Sequence, residues 1–187
     1  FMCGREYEDR KYKERRLPFE SIYKIYKKCS AQDRCSKVKS TEKKLTIGLP
    51  SALPMIEYMP LWREFFKRLG YKIIISPNDK ERLGRGKNIA QAEFCAPILI
   101  AHGHIDWLLQ KNVDYIFFPI MLHGQKEEPD NNYNFFCYYT AYMPPVIRNS
   151  PLLEIKEKLI SPVINFQLSI DKIVDNLYEV LKEPLGL

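Results

Sequence analysis

The sequence predicts an α/β protein with an open, mostly parallel sheet of about four or more strands and flanking helices, preceded by a basic N-terminal extension. Short β-branched and aromatic runs alternate with longer runs whose apolar residues recur every three or four positions. The first two strand-like runs are about 30 residues apart, as in a parallel β-α-β unit with a right-handed crossover. No window approaches the roughly 20 apolar residues of a membrane span, so a membrane protein is excluded.

The basic charge is concentrated in the extension, which we place at residues 1–43, ahead of an α/β domain at residues 44–187. Residues 1–45 contain 14 Lys and Arg against 7 Asp and Glu, whereas the remainder contains 15 against 16. Acidic residues are interleaved with the basic ones, which is typical of a solvated helix face, so nucleic-acid binding is not expected. Because no export signal is present, we expect a cytoplasmic protein. We also expect this chain to be part of a longer one.

The first β-α-β unit follows the extension. Residues 45–50 predict a strand that ends at a proline, and residues 59–69 predict a helix whose apolar stripe contains Leu61, Trp62, Phe65, Phe66 and Leu69. Gly70 is placed as the C-cap of this helix. Residues 71–77 are nearly all apolar, which predicts a second strand buried on both faces.

The same alternation continues to the end of the chain. The predicted elements are a turn-rich stretch at 88–94, a helix at 97–111, a strand at 113–119, a polar loop at 125–134, a short helix at 137–147 broken by two prolines, a strand at 160–166 and a helix at 170–181. Open α/β sheets bind ligands at the carboxyl ends of their strands. The site is therefore expected beyond residues 50, 76, 119 and 165.

Several familiar catalytic and nucleotide-binding patterns are missing. Residues 84–87 contain two glycines but do not follow a strand, so they do not form a phosphate-binding loop. No G-x-S-x-G nucleophile elbow is present. His102 and His104 are two positions apart, which places them on different sides of a helix. We expect one in the core and the other bonded to a neighbouring loop. His123 is either an acid or base, or a surface residue.

Five cysteines, an odd number, indicate a reducing compartment and thiols that are free or metal-bound. Cys95 and Cys137 both lie at predicted loop-to-helix junctions, where unpaired amides favour negative charge. The two thiols could converge above the sheet as iron–sulfur ligands, although the residues alone favour buried, inert cysteines. Cys29 and Cys35 lie in the polar linker, and their spacing is interpreted as incidental.

Several motifs resemble one known family in order along residues 44–166. They are Ile47-Gly48-Leu49-Pro50, Glu93-Phe94-Cys95-Ala96-Pro97 followed by Ala101-His102-Gly103-His104-Ile105, Asp114-Tyr115-Ile116-Phe117-Phe118-Pro119, and Asn132-Tyr133-Asn134 ahead of Cys137. This series is similar to the domain associated with 2-hydroxyacyl-CoA dehydratase activases and the related double-cubane iron–sulfur proteins. Ser51, Leu99 and Tyr138 replace the family's usual Arg, Lys and Pro.

The resemblance implies an iron–sulfur cluster, expected to be of the [4Fe-4S] type, that transfers electrons in an ATP-dependent reductase or dehydratase system. It implies Cys95 and Cys137 as ligands, with Cys3 as a further candidate. His102 and His104 would lie behind the ligands, donating to cluster sulfurs or fixing the loop. The implied partners are an ATP-hydrolysing activase domain or subunit and the remaining reductase or dehydratase part, and a homodimer is compatible with this role.

Two other interpretations stay open at this stage. The substitutions at Leu99 and Tyr138 lie beside the implied ligands, which favours a family member that has lost its cluster and acts as an interaction or scaffold domain. The third interpretation is a small-molecule hydrolase or transferase that uses His123 or Cys95.

Overall fold

The structure is a computed structural model that describes residues 45–124 and 134–187. The predictions for the basic extension, including Cys3, lie outside the described residues, as does most of the predicted polar loop at 125–134. Within the described ranges, no helix is both long and apolar enough to cross a bilayer.

Strands and helices alternate along the described ranges. The strands are β1 (Thr46–Leu49), β2 (Lys72–Ile75), β3 (Tyr115–Phe117), β4 (Ile120–His123), β5 (Leu159–Ile160) and β6 (Val163–Asn165). The helices are α1 (Met55–Arg68), α2 (Arg82–Ile89), α3 (Ala96–Gln110), α4 (Tyr138–Ala141), α5 (Met143–Arg148) and α6 (Ile170–Leu185).

The main sheet has four strands in the order β2-β1-β3-β5, and every pair is parallel. This arrangement confirms the predicted open α/β fold. Successive strands are added to the sheet in two directions from β1, because β2 lies on one side of β1 and β3 lies on the other. Right-handed crossovers in opposite directions place α1 on one face of the sheet and α2 with α3 on the opposite face.

Strands β4 and β6 form a second parallel pair, which follows along the chain from the pair of β3 and β5. The strand predicted at 113–119 is divided at Pro119 into β3 and β4, and the strand predicted at 160–166 is divided at Pro162 into β5 and β6. The pairs Phe117↔Ile160 and Ile120↔Val163 have the same offset, so the two prolines lie opposite each other. The Ile120 amide donates to the Pro162 carbonyl at 2.9 Å, but Pro162 has no N–H to donate to the Phe118 carbonyl, as a regular parallel ladder would require.

Three sequence predictions about local structure are corrected. Strand β2 is only half-buried, since it forms an edge of the sheet and therefore lacks one neighbour. Helix α2 was not predicted, because its glycines resemble a loop. Helix α1 begins at Met55 and contains Pro60, whereas the sequence predicted its start at residue 59. Gly70, with φ of 83°, adopts the left-handed conformation at the end of α1 that only glycine accepts easily.

Aromatic packing anchors α1 to the sheet. The Phe117 ring lies 4.8 Å from that of Trp62 and 4.9 Å from that of Phe66, measured between centroids. At the other end of the chain, α6 buries Leu177, Leu181 and Leu185. The Tyr71 hydroxyl donates to the Leu185 carbonyl at 2.7 Å, which connects the end of α6 to the start of β2.

Candidate functional site

Two free thiols mark the candidate site. Cys95 immediately precedes α3 and Cys137 immediately precedes α4, both in extended backbone conformations, so the predicted loop-to-helix positions are confirmed. Both cysteines are exposed, and neither side chain caps its helix. The interpretation of buried, inert cysteines is therefore wrong.

Residues 144 and 145 do not break a helix but lie in the first turn of α5, where proline is tolerated.

An aromatic contact brings the two junctions side by side. Phe94, directly before Cys95, lies 5.9 Å from Tyr139, two residues after Cys137, with the rings at 71°. Such an edge-to-face pair is a favourable arrangement of aromatic rings. The two junctions precede the helices that lead back to β3 and β5, so they lie at the carboxyl edge of the sheet, where a parallel sheet places its ligand sites.

The residues around the thiols are accessible and largely apolar. Phe135, Tyr138, Tyr139 and Tyr142 are 64%, 82%, 60% and 53% exposed. A groove of about 640 Å³ lies at the Cys95 junction, and Lys87, Glu93, Phe94 and Leu99 are among the residues that line it. The neighbours of the thiols along the chain therefore include exposed aromatic residues after Cys137 and residues of a groove with charged members before Cys95.

The glycines of α2 and α3 allow the backbones of these helices to touch. A Cβ atom on Gly103 would lie 1.9 Å from the Arg82 carbonyl oxygen, and one on Gly86 would lie 1.7 Å from the Leu99 carbonyl oxygen. Neither position can accommodate a side chain unless the backbone moves. This close crossing explains why glycine occupies position 103, between the two histidines. It also assigns Gly86 to helix packing rather than to a phosphate loop.

Both histidines of this motif are buried at the crossing. His102 is 2% exposed, and its Nδ1 lies 3.0 Å from the Ile98 carbonyl of its own helix. Burial lowers the pKa of His102, while the bond to Ile98 opposes that shift. The expectation of one core histidine and one bonded to a loop is wrong for the second, because both rings lie within the packed helices.

His104 lies in a more unfavourable environment for a proton. It is 1% exposed, and its Nε2 has no hydrogen-bond partner among the described residues. Burial, followed by the nearby charge of Arg82, lowers its pKa from 6.5 to about 4. The imidazole of His104 is therefore neutral at pH 7, so this residue does not act as a cation at that pH.

The start of α2 is held by Asp79, a residue that the sequence alone did not indicate. Its carboxylate accepts bonds from the amides of Glu81 and Arg82 at 3.1 and 2.9 Å, and it pairs with Arg85 at 2.6 Å. The hydrogen bond from Arg85 is the main reason that the pKa of Asp79 is lowered. The signal in the sequence was an Asp three residues ahead of a helical residue, which is typical of a helix start.

His123 lies at the end of β4, beside Phe135, one of the exposed aromatic residues near Cys137. Its ring centroid is 4.1 Å from that of Phe135, and its Nδ1 is buried without a partner in the described part of the chain. The ring contact of His123 is with Phe135, at a tilt of 46°, and this contact gives no support to its use as a catalytic acid or base.

The donors at the site agree in kind with an iron–sulfur cluster, since thiolates are the ligands that such clusters take. Within residues 45–124 and 134–187, however, no group of three or more His, Cys, Asp or Glu side chains could hold a metal ion. Cys95 and Cys137 are the two cysteines among the described residues, fewer than the three or four thiolates that a cluster requires, and the remaining cysteines of the chain lie outside those residues.

The fold and the site define a wound α/β domain with an accessible pair of thiols at the carboxyl edge of its sheet. Residues 46–186 match the model of the CoA enzyme activase uncharacterised domain family. The chain belongs to this family, and the match confirms the resemblance found in the sequence. Comparisons with curated proteins and with solved structures give no match.

Proposed function

We propose that this domain transfers electrons through an iron–sulfur cluster within an ATP-dependent activase and 2-hydroxyacyl-CoA dehydratase-like reductase system. The observation that carries the proposal is the exposure of Cys95 and Cys137 at adjoining helix starts in a domain of the CoA enzyme activase family. The proposed partners are an ATP-hydrolysing activase and the remaining reductase or dehydratase part, in the cytoplasm.

The two thiols are the proposed ligands because they are accessible and are brought together by the aromatic contact between their neighbours. A [4Fe-4S] cluster, when bound, would supply one-electron transfer at low potential. Cys3 is the proposed third ligand. Phe94 and Tyr139 would cover one side of the ligands and reduce their contact with water, which matters because solvent exposure is one determinant of cluster potential.

The buried histidines are proposed to position the ligands rather than to touch the cluster. The His102 ring is stacked on Phe94, with 5.8 Å between centroids and 23° between planes. Phe94 is bonded to Cys95, so His102 sets the position of that thiol through the intervening ring. His104 is proposed to act more indirectly, by packing α3 against α2.

The test is the iron and acid-labile sulfide content of the full chain after strictly anaerobic purification, together with its visible spectrum. Cys95→Ser and Cys137→Ser should each lose most of the iron and sulfide, because a cluster that loses one of few thiolates is released. The matched control is the double variant Cys29→Ser/Cys35→Ser, which should keep the wild-type content. Cys3→Ser tests the third ligand separately.

A second function is favoured by the exposed aromatic residues around Cys137. Monomeric proteins rarely expose large contiguous apolar patches, and aromatic residues are enriched in protein interfaces. A cofactor-free interaction domain would contain no iron even after anaerobic reconstitution, and Cys95→Ser/Cys137→Ser would still assemble with its partner. That result would contradict the iron–sulfur proposal and support the interaction domain.

A further inference from the structure

A second pocket lies beside the groove at the Cys95 junction and shares Phe94 with it. It has a volume of about 160 Å³, and its walls include Ile89 from the end of α2, Phe94, Val146 from α5 and Pro151. His102 also lines it. The backbone contact between Gly86 and Leu99 holds the second half of α2, which ends at Ile89, against the helix that carries His102.

The histidine in this pocket offers one hydrogen-bond acceptor. A carbonyl oxygen can only accept, so the short contact between His102 Nδ1 and the Ile98 carbonyl requires that Nδ1 carry the ring proton. Because burial favours the neutral ring, Nε2 is left with a lone pair. Among the described residues the His102 ring is hydrogen-bonded at Nδ1, and Nε2 is not one of their fully enclosed unpaired atoms, so a small part of Nε2 stays accessible. A nearly buried polar atom of this kind costs free energy until it is paired.

The other pocket residues indicate what would pair with it. All nine residues that line the pocket are uncharged in this state, and the apolar members Ile89, Phe94, Val146 and Pro151 form much of the wall. The groove at the Cys95 junction differs, since Lys87 and Glu93 line it. A pocket of this size is large enough for a ring, because a dry cavity of about 150 Å³ binds benzene.

We propose that this pocket binds a small neutral molecule with a flat apolar body and one O–H or N–H group, which donates to Nε2 of His102. Phenol is the simplest member of this class. Anions of the same size should be rejected, because the polar residues that line the pocket beside His102, namely Gln91, Asn149 and Ser150, are neutral and the lining contains no cation. The proposal does not depend on the proposed electron-transfer function, since no cluster ligand lines the pocket.

The test is a titration of the full chain with phenol over the millimolar range, followed by amide and histidine-ring NMR shifts. Phenol should give saturable shifts at residues that line the pocket, and long-range ¹H–¹⁵N spectra should show the proton of His102 on Nδ1. Toluene has nearly the same size but no donor, and it should bind about tenfold more weakly, as expected for one hydrogen bond to a buried acceptor. Benzoate should give no saturable shift at these residues.

Two variants of matched chemistry locate the site. Val146→Phe, at the rim of the pocket, fills its volume and should abolish the phenol shifts. Val174→Phe, on the exposed face of α6, makes the same change elsewhere and should leave them intact. His102→Leu should make phenol and toluene bind equally. Equal binding of phenol and toluene to the wild type, benzoate binding at the pocket, or phenol binding that survives Val146→Phe would overturn the proposal.

Discussion

Replacing His104 should remove much of the acid sensitivity of the fold. The ring is 1% exposed and has a pKa of about 4 in the folded protein, against 6.5 for an ordinary histidine. On acidification, the unfolded chain therefore takes up a proton near pH 6.5 that the folded chain does not accept until about pH 4. The contribution of His104 to stability is complete above pH 6.5 and is lost progressively as the pH falls towards 4.

The size of the effect follows from the two pKa values. Each unit of separation is worth about 1.4 kcal/mol, and at pH 5 about one and a half units of the shift are expressed. His104 alone should lower the free energy of unfolding by about 2 kcal/mol between pH 7.5 and pH 5. In His104→Leu, which leaves no titrating group at this position, the decrease over the same interval should be smaller by that amount.

The assay is urea denaturation of wild type and His104→Leu at pH 7.5, 6.5, 5.5 and 5, with the free energy of unfolding extrapolated to water. Ile100→Leu, on the same helix, is the control for a conservative change without loss of a titrating group, and it should keep the wild-type pH dependence. The reasoning is refuted if His104→Leu has the same dependence on pH as the wild type.

Two further substitutions test the packing. Gly103→Ala should lower the free energy of unfolding by about 3 kcal/mol or more, since its Cβ would lie 1.9 Å from the Arg82 carbonyl oxygen, whereas the control Gly84→Ala meets nothing within 4 Å and should be neutral or stabilising by about 0.5–1 kcal/mol. Thermal melts distinguish the two, and equal destabilisation would contradict the close crossing. Tyr71→Phe, which removes the bond to the Leu185 carbonyl, should cost about 1 kcal/mol in urea denaturation, and an unchanged midpoint would show that this bond contributes nothing.

The sequence predicts elements well where periodicity and end signals agree. Helix α3 was predicted within one residue at each end, because Pro97 marks its start and a continuous apolar run follows. Helix α2 was missed because Gly84 and Gly86 are poor helix formers, and the contacts that stabilise this helix are with partners 13 to 21 residues further along the chain. Tertiary packing, which a local pattern does not contain, decided this case.

The candidate site was likewise predicted only where local sequence signals determine the structure. The helix starts at Cys95 and Cys137 were predictable from proline and from changes in polarity, but their exposure was not, since cysteine is most often buried. The burial of both His102 and His104 depends on the approach of α2, an element that the local pattern did not reveal. The cluster and all of its ligands stay a prediction, and the cysteines that could supply further ligands beside Cys95 and Cys137 lie outside the described residues.

The facing prolines at 119 and 162 lie between the four-stranded sheet and the pair formed by β4 and β6. They make this outer pair mechanically separable from the four-stranded sheet. Across that line, the Ile120 amide still donates to the Pro162 carbonyl, but Pro162 has no N–H for the Phe118 carbonyl, so the two halves share a crease with reduced resistance to bending. Substitutions could therefore re-aim the ends of β4 and β6, with His123 and Asn165, while the four-stranded sheet keeps its register. A fold with such a crease can vary its outer rim over evolution without rebuilding its core.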